Sequence, residues 1–148
     1  LSDAIAWASQ RHAQTQYIID LATLTGAVVK ALGYDLSGLM TQDNALRSAL
    51  TTAGEQSGDE VWSLPLDARL KKQTESAIAD LCNTPTNNAA ISASAAWLLH
   101  HFCPADIPWA HLDVSGTALW REGGKSVASG RPIPLLMQHL LNDLDIRE

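Results

Sequence analysis

The sequence predicts an α/β fold, a mixed and largely parallel sheet flanked by helices, and three observations carry that expectation. Short β-favouring runs alternate with helical stretches from one end of the chain to the other. The run at residues 17–22 (YIIDLA) has Asp20 as its single charge, the pattern of a central strand covered on both faces with a neighbour on each side. Small turns containing glycine follow two of the strand runs, at residues 23–26 (TLTG) and 115–118 (SGTA).

Taken in order, Leu1, Ile5, Ala8 and His12 fall on one stripe at helical spacing, with Ala4 and Trp7 beside it. That predicts a helix over residues 2 to about 13. After the strand at 17–22 and a hinge at 23–26, AVVKAL makes a brief helix that stops at Gly33. Residues 35–41 (DLSGLMT) read as a strand, and 42–55 as a helix that Asp43 or Asn44 is placed to cap. EVWSLPL is extended and stopped by Pro65, DARLKKQTES is mainly helical and polar, and residues 77–82 (AIADLC) read as a short strand. The loop NTPTNN leads to an alanine-rich helix over 89–102 that ends before Pro104, with Asn87 and Asn88 able to cap it. Residues 108–114 (PWAHLDV) form a strand. In the tail, Pro132 and Pro134 precede a helix with Leu135, Leu136, Leu140 and Leu141 on its apolar side.

The composition narrows the function classes. With 148 residues and 46% apolar content, the chain suits one domain or a piece of a larger one. A formal net charge of -6 and a pI near 5.2, with no stretch gathering lysines and arginines, exclude a nucleic-acid backbone as the main partner. Cys82 and Cys103 lie outside any CxxC pair, and are expected to be buried free thiols of a reducing compartment. No run approaches the ~18 apolar residues of a membrane span, and no segment resembles a signal peptide. A soluble, cytoplasmic protein without a membrane partner is expected. The chain opens at Leu1 without a methionine and enters helical text at once, which reads as an internal fragment.

Ligands in open α/β sheets bind beyond the C-terminal ends of strands, which directs attention to TLTG and SGTA. Gly26 and Gly116 would let backbone groups approach a ligand closely, and the hydroxyl residues around them would suit a peptide backbone. Both segments could equally be ordinary turns that need glycine. Asp20 and Asp113 could be ligands or general bases, or buried carboxylates that accept hydrogen bonds; the second is the commoner arrangement. His111 and Asp113 share a strand face, but two ligands do not make a metal site, and a structural role for His111 is expected. His100 and His101 point about 100° apart on their helix and read as surface or interface residues, as do His12 and His139. Lys30, Lys71, Lys72 and Lys125 lack any context for a lowered pKa, and there is no GxSxG or P-loop pattern. From its residues alone, the chain offers a pocket wall without a reaction centre.

The string IIDLATLTGAVVKALG at 18–33 resembles the passage that follows the metal-binding segment of leucine aminopeptidases, the two-metal exopeptidases of the bacterial cytosolic type. Further landmarks come in that family's order: SGLM, AGEQSGDEVWSLPL, IADLCN, the alanine-rich helix, WAHLDVSGTA and SGRPIPLLMQHLL. The resemblance thus covers nearly the whole chain and implies the second half of the family's catalytic-domain sheet. The passage upstream in the family, NTDAEGR, carries metal ligands and a catalytic arginine; it would end just before Leu1. The remaining metal ligands and the catalytic lysine lie earlier still, so the resemblance places no catalytic or metal-binding residue in this chain. What it does imply is a substrate wall. Leu24 would offer its carbonyl to the substrate's amino or amide nitrogen and Gly26 its amide to a substrate carbonyl. Thr23 and Gly26 would line the pocket for the N-terminal side chain beside Thr25, with Ser115 and Ala118 closing its far side. The family often has alanine and a larger residue at those last two positions, and a glycine-rich approach where this chain has NTPTNN.

For the whole protein the resemblance implies metal-dependent hydrolysis of N-terminal amino acids from peptides, with two divalent ions, manganese or zinc, in a homo-hexamer. The partners implied for this chain are the peptide substrate and the missing N-terminal portion of the same protein. The alternative is a non-catalytic binding or assembly module that keeps the fold without the metals.

Overall fold

In the computed structural model, residues 1–11, 14–84, 87 and 89–144 are described. A four-stranded mixed sheet lies between two helical layers. Its strands are β1 (Ile18–Ala22), β2 (Ser37–Thr41), β3 (Val61–Ser63) and β4 (Trp109–Asp113), in the order β1-β4-β2-β3. β1 pairs with β4 and β2 with β3 in parallel, whereas β2 and β4 run antiparallel. The α/β class and the mixed, largely parallel sheet expected from the sequence are therefore observed.

Alternation along the strands sorts the core into two clusters, because successive side chains point to opposite faces. Leu39, Ala110 and Leu112 face one side, where Leu46 and Leu50 of α3 (Asn44–Ser57) and Leu135 of α5 (Ile133–Asp143) pack with them. Met40 and Trp109 face the other side, against Ile5 of α1 (Ser2–Arg11) and Ala96, Trp97 and Leu99 of α4 (Ile91–His100). Leu39, Leu50, Leu112 and Leu135 are fully buried, and each such side chain contributes about 2 kcal/mol.

Local signals explain most boundaries. Thr25 caps the short α2 (Gly26–Leu32), accepting from the amide of Val28 at 3.3 Å, and the helix stops at Gly33 with a φ of 74°. Asp43 is the residue that caps α3, accepting from the Leu46 amide at 2.7 Å. The tail is anchored by Arg131, whose Nε donates to the buried Asp59 carboxylate while Nη1 donates to the Asp35 carbonyl at 2.7 Å.

Several expectations are corrected. β1 has one strand neighbour among the described residues, β4, and Leu21 is 37% exposed, so in this chain β1 is an edge strand. Residues 77–82 form no strand: they lie among bends, Ile78 is exposed, and the Ser76 hydroxyl accepts from the amides of Ile78 and Ala79, satisfying them locally in place of a sheet partner. The polar stretch before it is a 3₁₀ helix, Ala68–Thr74. The alanine-rich helix is shorter than expected, and its preceding residue Ala90 makes no side-chain cap; Asn87 accepts from the Ala89 amide instead, and Asn88 lies outside the described residues, as does His12. Pro134 sits inside the first turn of α5, where a missing amide costs nothing. Leu140 and Leu141 are substantially exposed, leaving Leu135 and Leu136 to face the core. A hairpin of β5 (Leu119–Glu122) and β6 (Lys125–Ala128) was not anticipated. Cys82 and Cys103 are free and only half-buried. No helix among the described residues is long and apolar enough to cross a membrane.

Candidate functional site: two loops joined at one carboxylate

Because β1 and β4 are parallel, with Ala22 opposite Asp113, the two glycine-containing segments leave the sheet side by side. The last main-chain bond between them runs from the Val114 amide to the Ala22 carbonyl, 2.9 Å. Beyond it the Asp113 carboxylate takes over. Its Oδ1 accepts from the Leu24 amide (3.1 Å), the Ser115 amide (3.2 Å) and the Ser115 hydroxyl (2.6 Å). Its Oδ2 accepts from the Thr25 amide (3.1 Å) and the Thr25 hydroxyl (2.7 Å). Thr25 and Ser115 also meet directly, the Thr25 amide lying 3.1 Å from Ser115 Oγ. Since the Thr25 hydroxyl proton goes to the carboxylate, the Ser92 hydroxyl of α4, 2.8 Å away, donates to Thr25 Oγ1.

The structure thus resolves the roles left open for Asp113: it is a fully buried carboxylate saturated by protein donors. Asp20 is likewise a buried carboxylate held by protein donors. It accepts from Trp109 Nε1 at 2.6 Å and from His111 Nδ1 at 2.5 Å, on the α4 side of the sheet, with the Trp109 and His111 rings stacked at 6.3 Å. His111 is fully buried, and its Nε2 has no hydrogen-bond partner among the described residues. Burial, and then the Asp20 carboxylate, push the Cys103 thiol up to about 12, which leaves it a poor nucleophile. His101 is exposed and bonds Thr74, while His100 is half-buried between Trp97 and Trp109. His139 departs from its expected surface position: it is 3% exposed and packs on the Tyr17 ring.

Among the six residues expected to form a substrate wall, Leu24, Thr25 and Gly26 line one cavity of about 680 Å³, together with Lys30, Leu64 and Ser92. Ser115 lines a separate cavity of about 350 Å³ with Tyr34, Asp35 and Trp120. Thr23 is exposed beside the first group, and Ala118 packs against the core cluster that contains Leu135. The two glycines differ. A β-carbon at Gly26 would meet nothing within 4 Å, so its face is open to a ligand. One at Gly116 would stand 2.3 Å from the Gly33 carbonyl oxygen, so that glycine serves internal packing. Ser92 escaped the sequence reading because nothing in ISAS distinguishes it from any helical serine.

Residues 1–137 match the catalytic domain of the cytosol aminopeptidase family. This chain belongs to the cytosol aminopeptidase family. It is 47% identical over 142 residues to a probable cytosol aminopeptidase of Bordetella avium, covering 96% of this chain and 27% of that protein. A probable cytosol aminopeptidase of Legionella pneumophila (strain Corby) is 42% identical over 140 residues, with 95% and 28% covered. Among solved structures, a mutant tomato leucine aminopeptidase superposes with a TM-score of 0.86 at 33% identity, over 95% of this chain and 27% of that one. The bottromycin maturation enzyme BotP gives 0.89 at 31% identity, over 98% and 32%. A second BotP structure, in complex with Mn, gives 0.86 at 32% identity, over 94% and 31%. The chain therefore spans under a third of the length of these relatives. A metal ion has no fitting site here: among the described residues no three His, Cys, Asp or Glu side chains stand close enough to hold one, and the buried carboxylates of Asp20, Asp59 and Asp113 are each taken by protein donors.

Proposed function

We propose that this chain forms the substrate-binding side of a metal-dependent aminopeptidase that removes N-terminal amino acids from peptides. The observation that carries the reading is the juxtaposition of TLTG and SGTA at the ends of two parallel strands, in a member of the cytosol aminopeptidase family. A peptide backbone needs one acceptor and one donor to be held in register. The Leu24 carbonyl and the Gly26 amide are that pair. In this reading Thr23, Thr25 and Gly26 form the near wall for the N-terminal side chain, and Ser115, tied to Thr25 through Asp113, belongs to the far wall, which Ala118 backs from the core side. The open face of Gly26 supports this assignment.

Polarisation of the scissile carbonyl and activation of water are the chemistry that bound metals supply. In this reading manganese or zinc is held by the portion of the protein that precedes this chain, which also provides the missing neighbour of β1. Assembly as a homo-hexamer rests on the resemblance, and a cytoplasmic location on the names of the relatives. The test is turnover of leucine p-nitroanilide by the purified full-length protein with manganese or zinc. Hydrolysis that is abolished by chelation and restored by metal is expected; a metal-loaded, folded protein without turnover would overturn the reading.

A further inference from the structure

The geometry points to Asp113 as a positioning residue that aims the Leu24 carbonyl at the substrate by holding the other end of the same peptide unit. A trans peptide is planar, with its N–H and C=O pointing in opposite directions. Among the described residues the one cis bond is Arg131–Pro132, so the unit joining Leu24 to Thr25 is trans. Its N–H belongs to Thr25 and donates to Asp113 Oδ2 at 3.1 Å. Its carbonyl, that of Leu24, therefore points away from the buried carboxylate. The preceding unit is fixed in the same sense, since the Leu24 amide donates to Oδ1 at 3.1 Å. Two successive peptide planes of the TLTG segment are thus set by one side chain.

That side chain is itself held rigidly. Asp113 is fully buried at the end of β4, its neighbour Leu112 is fully buried too, and Ser115 donates twice to Oδ1. The Thr25 hydroxyl adds a short bond to Oδ2 and is steadied from α4 by Ser92. A buried carboxylate with five donors around it keeps them converged, because charge-assisted bonds in a dry environment are stronger than neutral ones. An asparagine of the same shape has one accepting oxygen and presents an NH₂ group to donors, so it cannot hold both sides.

This inference rests on the proposed function, and its test separates the two. In the full-length protein, Asp113→Asn should raise KM for a peptide substrate about tenfold, with kcat within about threefold of wild type, the mark of lost ground-state and transition-state binding alike. Thr25→Val, which removes one donor, should raise KM by a smaller factor, and Thr25→Ser should restore it; these carry the test if Asp113→Asn does not fold. Hydrogen exchange at the Leu24 and Thr25 amides, measured on the same proteins, should quicken in Asp113→Asn and Thr25→Val. Unchanged exchange would show that the carboxylate does not hold the segment. Faster exchange with unchanged KM would show that it holds the segment without aiming it. Absence of turnover in wild type would sink the functional reading alone, since the exchange measurement needs no activity.

Discussion

Gly116 backs onto Gly33 so closely that a β-carbon on Gly116 would stand 2.3 Å from the Gly33 carbonyl oxygen. The obstacle is backbone, which cannot swing aside as a side chain can. Gly116→Ala should therefore destabilise the protein by about 3 kcal/mol, the upper part of the usual range for overpacking. A urea titration reads this directly, and an unshifted midpoint would show that the turn relaxes freely.

Gly26→Ala should do the opposite to stability. The added methyl meets nothing within 4 Å and sits in the first turn of α2, where alanine is favoured by about 0.5 to 1 kcal/mol. Under the proposed function, the same methyl in the full-length protein would occupy substrate space. Turnover of leucine p-nitroanilide should fall by about tenfold or more while the melting temperature holds or rises. Full activity in this variant would remove Gly26 from the wall.

Stability should also fall on mild acidification. Burial lowers the pKa of His139, with Asp143 opposing the shift, and burial likewise lowers that of His100, helped by His101 and Lys71. A histidine depressed in the folded state binds fewer protons there than in the unfolded chain, whose value is near ~6.5. The stability it contributes is complete above that value and is lost as the pH falls through the folded pKa. Melting temperatures taken from pH 7 down to pH 5 should decline, and His139→Phe should make the decline shallower. An identical slope in the variant would argue that His139 titrates without cost.

Residues 1–148 produced on their own should not hydrolyse leucine p-nitroanilide at any manganese or zinc concentration, since among the described residues no three metal-ligating side chains cluster. Metal-dependent turnover by the pure fragment would overturn the division of labour proposed above.

Much of the architecture is legible in the amino-acid sequence itself. β1, β2 and β4 are apolar runs with β-branched or small residues, and Asp43 and Gly33 punctuate the helices by mechanisms that act within a few residues, whereas the Thr25 cap lies in a segment that reads only as a hinge. What could not be read is what depends on register. The pairing of Asp20 with His111 follows only once β1 is known to lie beside β4, and the same is true of the convergence of Leu24, Thr25 and Ser115 on Asp113. The strand expected at 77–82 failed for another reason: its residues have suitable propensity, but the Ser76 hydroxyl satisfies the Ile78 and Ala79 amides locally and competes with a sheet ladder. The β5–β6 hairpin escaped because its strands are four residues each and carry most of their apolar groups on the surface, so no burial pattern marks them.

The five donors around Asp113 have an evolutionary consequence. Positions 25 and 113, 88 residues apart in sequence, form one mechanical unit. A substitution at Thr25 is therefore felt at Ser115 through the shared carboxylate. Selectivity for the N-terminal residue should consequently change by epistatic steps, in which exchanges at Thr25 and Ser115 succeed together where each alone fails.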